Sequence, residues 1–484
     1  MLSRRGLIIV AVLAAAVFAE EDPLQGLKIN GWGWLTFGRV GSGFDQSKTT
    51  TEADIDFTKE YLSDFNAGVR IEKNFDETMR ARFHFGMSTA YIVDNPKLLS
   101  YEFWQRKWGL YLIDAAIEKN VGFTESNNLL LEFGFLPVKT NPQAANLGEY
   151  LFRSLPYPAT IVSGFELADK DKQVGFHAGY KQKMLEKSLL KADLYLGTEM
   201  TYMPIFDITP SGLLSFNLEE IFELGGGISF YSLFSIDKRK TTPGKDKKRI
   251  SQFPERVTYI DTLGDTTFYT FRGTKLMGRF CFNPKAFFTT DIFGAEDLKI
   301  FAEVAVLGTK NYKGWYEDRS NRVPFMFGIN IPTFKLLDIC SFQLQYFKNP
   351  YWNATEFMWK SGSPIPYQGS ITPIEFKDYQ KGLADGSIKP ITEDDWKWSL
   401  YMSRKINNRF RLSLQFANDN LMKTRYMPPP PTQSKYTEVM RDTWMREKIV
   451  TIDPVTLEET VTWGKEKWGM IKDWYWMARI MFYL

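Results

Sequence analysis

A two-residue alternation of apolar and polar side chains restricts the fold of this chain more than any other feature of its sequence. Between Asp64 and Tyr91, apolar residues occupy every second position on both sides of the short connection Lys73–Glu77. This period places the apolar side chains on one face of a β-strand and the polar side chains on the other. The segment therefore predicts a β-hairpin with one apolar and one polar face.

The same alternation recurs along most of the chain, with no helical pattern between its occurrences. Besides a first strand at about Leu27 to Val40, the alternating segments are Gly109–Glu118, Leu129–Phe135, Val174–Lys181, Leu190–Glu199, Leu224–Phe234, Thr266–Phe282, Leu298–Leu307, Phe325–Ile331, Leu336–Phe347, Trp396–Lys405, Phe410–Phe416 and Trp474–Leu484. Many of them have roughly the nine to eleven residues that a tilted strand needs to cross a bilayer. With the hairpin they make fifteen strands.

A closed barrel with both chain ends on one side needs an even number of strands, so we assign Arg256–Leu263 as the missing one. The predicted fold class is all-β, a transmembrane antiparallel up-and-down barrel of about sixteen strands, within a range of roughly 14–18.

The connections between these segments alternate between short and long. Short ones are Lys73–Glu77, Met184–Lys187, Pro332–Lys335 and Ile406–Asn408, and long ones are Gly41–Ser63, Ile92–Lys107, Pro137–Lys172, Lys348–Asp395 and Asp419–Ile471. Short turns on one side and long loops on the other are typical of outer-membrane barrels. Because Pro137–Lys172 is rich in apolar residues, we expect this loop to fold into the lumen and narrow it. An external cap against neighbouring loops is the alternative.

Composition excludes several other classes of protein. Aromatic residues make up 16% of the chain, but the mean hydropathy is only −0.28. A helical membrane protein would need a long apolar run for each spanning helix. A barrel needs only alternate apolar residues and collects aromatic residues at the two interfaces. The net charge of +3 is too small to indicate a nucleic-acid partner.

The first residues have the layout of a cleavable export signal. Arg4 and Arg5 precede the apolar run Leu7–Phe18, and Ala19 lies just before an acidic stretch. The run is too short for a membrane anchor, which needs about 20 apolar residues. We therefore expect residues 1–19 to be removed and residues 20–484 to form a single barrel domain.

Three segments together indicate a known family. They are the early strand Lys28–Trp34, the block Leu131–Lys139 and the apolar last strand, which ends in Leu484. The pattern resembles outer-membrane porins, in which the usual last residue is Phe and a similar block precedes the inward-folded loop. The resemblance implies a location in the outer membrane of a Gram-negative-type bacterium, contact with outer-membrane lipid, and passive diffusion of small hydrophilic solutes. Homo-oligomerisation is left open.

Residues suited to catalysis or metal binding are few. The only histidines, His84 and His177, fall on polar faces of strands, and the only cysteines are Cys281 and Cys340. Neither set indicates a hydrolytic triad or a zinc site. Gly225–Gly227 lacks the Lys-Ser/Thr pair of a phosphate loop, so we interpret it as a close backbone approach or a bend in the wall. We expect no enzymatic activity, metal or cofactor.

Aromatic residues in the long connections leave a second function open. They are Tyr101, Phe103, Trp104, Trp108, Trp315, Tyr316, Trp352, Trp359 and Trp444. Such rings can stack on sugars in a surface-exposed carbohydrate-binding or adhesin-type barrel, or they can pack within folded loops.

Charged residues on the polar faces fall into two groups. The basic group lies on six strands that become contiguous once the last strand pairs with the first: Lys28, Arg70, Arg80, Arg82, Lys397, Lys405, Arg409, Arg411 and Arg479. The acidic group lies on the stretch Gly109–Glu199: Asp114, Glu118, Glu132, Asp193 and Glu199. We expect both groups to line the pore and to produce a transverse field with a mild anion preference. Mutually compensating ion pairs are the alternative.

Overall fold

The computed structural model of the chain describes residues 26–42, 61–93, 109–124, 126–145, 147–152, 171–185, 187–199, 208–231, 233–234, 257–260, 266–269, 273–288, 291–309, 318–348, 395–418, 446–452, 459–466 and 474–484. The predicted export signal and the aromatic residues named above for the long connections lie outside these ranges.

Sixteen strands close into one antiparallel barrel. In chain order they are β1 (Leu27–Ser42), β2 (Tyr61–Asn74), β3 (Met79–Val93), β4 (Gly109–Thr124), β5 (Asn127–Val138), β6 (Asp171–Leu185), β7 (Ser188–Glu199), β8 (Ile208–Leu218), β9 (Phe222–Tyr231), β12 (Gly273–Phe282), β13 (Ile300–Val306), β14 (Phe325–Asn330), β15 (Ile339–Tyr346), β16 (Trp396–Lys405), β17 (Phe410–Ala417) and β20 (Trp474–Tyr483). Two further hairpins, β10 (Val257–Ile260) with β11 (Thr266–Tyr269) and β18 (Arg446–Ile452) with β19 (Glu459–Glu466), pair only within themselves.

Each barrel strand pairs with the next in this order, and β20 pairs with β1 to close the ring. The predicted fold class and strand number are confirmed by this closure. The short turns, the start of β1 and the end of β20 lie at one end of the barrel, which we call the short-turn end.

The barrel is apolar outside and polar inside, the reverse of a soluble protein. On β5, Phe133 points outward with 65% of its surface exposed, whereas the neighbouring Glu132 points inward. On β15, Ser341, Gln343 and Gln345 point inward and are buried. An apolar outer face around a ladder with no free edge is the arrangement of a membrane-spanning barrel, because lipid offers backbone groups no hydrogen bonds.

Among the described residues there is no helix long and apolar enough to cross a membrane.

One of the sixteen strands differs from the strand that the sequence indicated. Val257–Ile260, the described part of Arg256–Leu263, is not in the wall, since β10 pairs only with β11, and the part of Thr266–Phe282 that lies in the barrel is β12. The strand that completes the wall is β8, where Pro210 and the adjacent Leu213 and Leu214 disturb the alternation. Both leucines have apolar surroundings, because Leu214 faces outward and Leu213 packs on an apolar cluster inside the barrel.

Candidate functional site inside the barrel

Three carboxylates surround one arginine where the predicted basic and acidic groups meet. The guanidinium of Arg82 on β3 lies 2.9 Å from Asp114 of β4 and 2.9 Å from Glu132 of β5, and it also pairs with Glu118. Arg80 binds the other carboxylate oxygen of Glu118. The contacts form because β3 and β4 are paired and present these side chains on one face. Bonds in three directions fix the planar guanidinium in place.

His177 extends this network along the wall to β6 and β7. Its Nδ1 lies 2.6 Å from Glu132, and its Nε2 lies 2.9 Å from Asp193. A neutral imidazole has a single N–H, so two ionised carboxylates are satisfied together only by the doubly protonated ring. The ring also stacks on Tyr195, with the two centroids 4.2 Å apart. The acidic group is therefore compensated in part by basic neighbours on the same wall.

Some members of the basic group lie elsewhere on the inner wall and have other partners. The guanidinium of Arg479 lies 4.8 Å from the ring centre of Trp34, a cation–π distance. Arg70 lies 2.6 Å from Glu72, which is the acidic residue next to it on the same face of β2. Lys397 is buried on β16. The structure therefore does not bring the nine basic residues together into one cluster.

The other members lie near the short-turn end. Lys28 is near the start of β1, and Lys405 and Arg411 lie on the two sides of the turn between β16 and β17. None of the three forms an ion pair with another described residue. Arg409 lies in that turn and not on a strand, which corrects its predicted placement. On the acidic side, Glu199 ends β7 opposite Gln173.

The chain after β5 turns into the barrel and crosses it. We call Lys139–Phe152 the inserted segment; residue 146 lies outside the described ranges. In the ring of strands β15 is opposite β5, yet the backbone N–H of Leu147 donates to Gln343 of β15 at 3.0 Å. The Tyr150 hydroxyl donates to Gln345 of the same strand at 2.7 Å. Of the rest of Pro137–Lys172, residues 153–170 also lie outside the described ranges.

Glu303 of β13 binds the inserted segment most directly. Its carboxylate accepts hydrogen bonds from the backbone N–H groups of Glu149 at 3.0 Å and Tyr150 at 2.7 Å, and from the amide of Asn141 at 2.8 Å. The side chain is only 1% exposed. Gly148 and Glu149 both have left-handed backbone, with φ of 86° and 64°, so the chain turns tightly at this point. The two consecutive N–H groups thus meet one carboxylate, as in an anion-binding nest.

Apolar contacts complete the binding of the inserted segment. Leu147, Tyr150, Leu151 and Phe152 belong to one buried cluster with residues of β12, β13 and β14. The Phe152 ring meets Tyr195 edge-on, with centroids 5.1 Å apart.

The three consecutive glycines of β9 have separate roles in this packing. A Cβ atom on Gly227 would lie 2.6 Å from the Leu151 side chain, and one on Gly225 would lie 2.6 Å from Arg279. The interpretation of Gly225–Gly227 as a place where other groups come close to the backbone is confirmed for Gly225 and Gly227. Gly226 points to the outer face.

Sequence reasoning missed the residues that hold the inserted segment. The inward face of β13 consists of Phe301, Glu303 and Ala305. A single carboxylate on this otherwise apolar face was the only feature in the sequence that could have indicated a binding role for Glu303. Gln343 and Gln345 fit the polar alternation of β15, but alternation does not say what a polar face contacts. Within the described ranges, no group of three or more His, Cys, Asp or Glu side chains is arranged to hold a metal ion.

The fold and its inner wall define a closed membrane-spanning barrel with porin-like architecture. No family model matches the chain, and no curated protein matches it. Among solved structures, it is similar to OprB of Pseudomonas putida, with 8% identity, a TM-score of 0.44 and coverage of 95% of this chain and 94% of that one. It is also similar to a variant of the Rhodopseudomonas blastica porin, with 5% identity, a TM-score of 0.40 and coverage of 95% and 100%. Identities and TM-scores this low carry no argument, so the fold assignment rests on the order and closure of the sixteen strands.

Proposed function

We propose that this chain is exported to the outer membrane and acts there as a porin-like channel for passive diffusion of small hydrophilic solutes. The observation that carries the proposal is the inserted segment, which crosses a closed barrel and is bound to the opposite wall. A polar inner wall is costly unless it is paired or hydrated. A segment that crosses the lumen narrows the passage left beside it and thereby sets its width. The apolar outer face supports contact with outer-membrane lipid.

A mild anion preference is part of the proposal. The two arginines of β3 and His177 compensate four of the five acidic residues, Asp114, Glu118, Glu132 and Asp193. The charged side-chain groups of Lys28, Lys405 and Arg411 near the short-turn end form no ion pair with another described residue. Uncompensated cations at a pore mouth attract anions, and the effect weakens as salt shortens the screening length to about 10 Å at 0.1 M.

Planar-bilayer recording of the purified, refolded protein tests the channel. We expect discrete conductance steps and a reversal potential that indicates anion preference across a KCl gradient. Cross-linking in the same lipid reports whether the barrel forms homo-oligomers. A barrel that is folded, as judged by altered SDS mobility without boiling, but gives no conductance steps would contradict the channel and favour the carbohydrate-binding alternative.

Charge reversal tests the ion preference separately. Lys28→Glu with Arg411→Glu should move the reversal potential toward cation preference, because both side chains lie near the short-turn end of the inner wall. Lys335→Glu is the matched control, since this lysine is exposed in the turn between β14 and β15. An unmoved reversal potential in the folded double variant would refute the anion preference and leave the channel itself standing.

A further inference from the structure

The outer wall carries an apolar groove across five strands. Its first row of cross-strand partners is Leu214, Gly226, Gly278, Val304 and Phe325, on β8, β9, β12, β13 and β14. The adjacent row is Phe216, Leu224, Phe280, Ala302 and Phe327. Small residues at Gly226, Gly278 and Ala302 form the floor, and large apolar side chains form the sides. The groove has a volume of about 870 Å³, within the range of about 300–1,000 Å³ that is usual for ligand sites.

The groove is on the lipid-facing side. Leu214 and Leu224 are 56% and 55% exposed, and their sequence neighbours Leu213 and Gly225 point inward. The groove is therefore continuous with the apolar outer face of the barrel and is separated from the pore by the wall.

Aromatic clusters border the groove toward both ends of the barrel. Toward the long connections, the Trp396 ring lies 6.2 Å from Phe325 and 4.8 Å from Tyr346. Toward the short-turn end, Phe222 stacks on Phe282 with centroids 4.9 Å apart. Apolar and aromatic side chains therefore surround the outward glycines, as on the lipid-facing band of a membrane barrel.

The small floor residues are not required by the packing of the wall. A Cβ atom on Gly226 would meet nothing closer than the Met277 carbonyl oxygen at 3.7 Å, and one on Gly278 nothing closer than Val304 at 3.8 Å. Both are ordinary van der Waals distances. Gly225 and Gly227 face inward, and by contrast a Cβ atom at either position would clash with the side chain of Arg279 or Leu151, respectively. The outward glycines thus leave open a space that a larger residue could fill without strain.

We propose that this groove is a binding site for an acyl chain of a membrane phospholipid. The side chains that face it are apolar, because Arg279 and Glu303, which also border it, point into the barrel toward Glu223 and the inserted segment. Its continuity with the lipid-facing surface means that a chain can enter sideways from the bilayer. An acyl chain there gains dispersion contacts on three sides, more than on the convex wall around it, because close packing of apolar atoms is favourable at each contact. The site does not depend on whether the pore is open.

The test compares retention of phospholipid by the wild type and by Gly226→Leu with Gly278→Leu, which fills the groove. Each protein is reconstituted in vesicles of palmitoyl-chain phosphatidylethanolamine and phosphatidylglycerol, extracted in mild detergent and analysed by native mass spectrometry. We expect the wild type to keep bound phospholipid and the double variant to keep roughly tenfold less, a difference of about 1.4 kcal/mol from the dispersion contacts that the filled groove no longer offers. Gly212→Leu is the matched control, because Gly212 lies on the same outer wall and a Cβ there would meet nothing closer than the Asp193 carbonyl oxygen at 4.0 Å.

Three results would overturn the site. One is equal phospholipid retention in the wild type and the folded double variant, and another is an equal fall in the Gly212→Leu control. The third is a double variant that loses contact between copies of the chain in cross-linking while its bound phospholipid is unchanged, which would assign the groove to a second copy. Altered SDS mobility without boiling establishes folding for each variant, so a failed barrel cannot be mistaken for lost lipid.

Discussion

Replacing Glu303 with Ala should free the inserted segment from the far wall. The carboxylate is the shared acceptor for two backbone N–H groups and one side-chain amide of that segment. Without it, the N–H groups of Glu149 and Tyr150 are left without an acceptor in a buried place, and a buried donor without a partner is costly. Glu303→Gln should have an intermediate effect, because it keeps one carbonyl acceptor but turns an NH₂ group toward the remaining donors.

The size of the effect follows from the bonds that are lost. A buried donor that loses its acceptor costs about 1–3 kcal/mol. The three donors that share this side chain are not independent, and water will enter the space, so we take about 3–6 kcal/mol for the whole set. Since about 1.4 kcal/mol corresponds to a tenfold change in an equilibrium constant, the ratio of bound to released segment should fall by about two to four powers of ten.

Single-channel recording measures the release as higher conductance with more frequent transitions between levels. Limited proteolysis of the barrel in vesicles gives a second readout, because a released segment should be cut faster. Glu223→Ala is the control: Glu223 is an inward carboxylate on β9 that lies 2.6 Å from Arg279. It removes a carboxyl group from the inner wall that has no contact with the described part of the inserted segment. Conductance and proteolysis in folded Glu303→Ala that equal those of the wild type would refute the role assigned to this carboxylate.

Three further predictions concern the inner wall and one turn. Arg82→Gln should reduce stability by about 3–5 kcal/mol, because it leaves buried carboxylates without their shared cation; urea unfolding in vesicles measures this, and an unchanged midpoint would contradict it. Gly227→Val should cost about 1–3 kcal/mol by pushing the inserted segment away, whereas Gly226→Val, which faces outward, should not. The pKa of Asp76 is held at about 2, first by the hydroxyl and then by the backbone N–H of Thr78. A carboxyl group whose pKa is lower in the folded state than in the unfolded chain stabilises the fold at pH values above the unfolded-state pKa, here 3.8. Asp76→Asn should therefore lower the unfolding temperature above pH 3.8, and the difference from the wild type should vanish as the pH falls toward 2.

The pairing of Arg82 changes how ion selectivity should be tested. Reversing both β3 arginines would place new carboxylates beside Asp114, Glu118 and Glu132, and like charges at these distances disfavour folding. A shift in selectivity from such a variant would mix a local rearrangement of the wall with the effect of charge. Lys28 and Arg411 avoid this problem, because neither forms an ion pair with another described residue.

The sequence by itself determined the barrel. The period of two is a local property of each strand, so it assigns one face to lipid and the other to the interior before any neighbour is known. It also placed His84, His177 and most of the charged residues on the polar face, where the structure has them. It failed at β8, where an inward apolar residue, Leu213, packs on the buried cluster that contains the inserted segment. A local pattern cannot anticipate an apolar contact made inside a polar interior.

Only the tertiary structure decided which inward residues meet. Arg82 reaches Glu132 across the intervening strand β4, and Glu303 binds Tyr150, which is 153 residues away in the chain. The first contact depends on the register of three strands, and the second depends on closure of the ring, which brings β15 opposite β5 and places β13 two strands from β15. Registers and closure are fixed by the packing of the whole wall together, whereas alternation is fixed residue by residue along each strand.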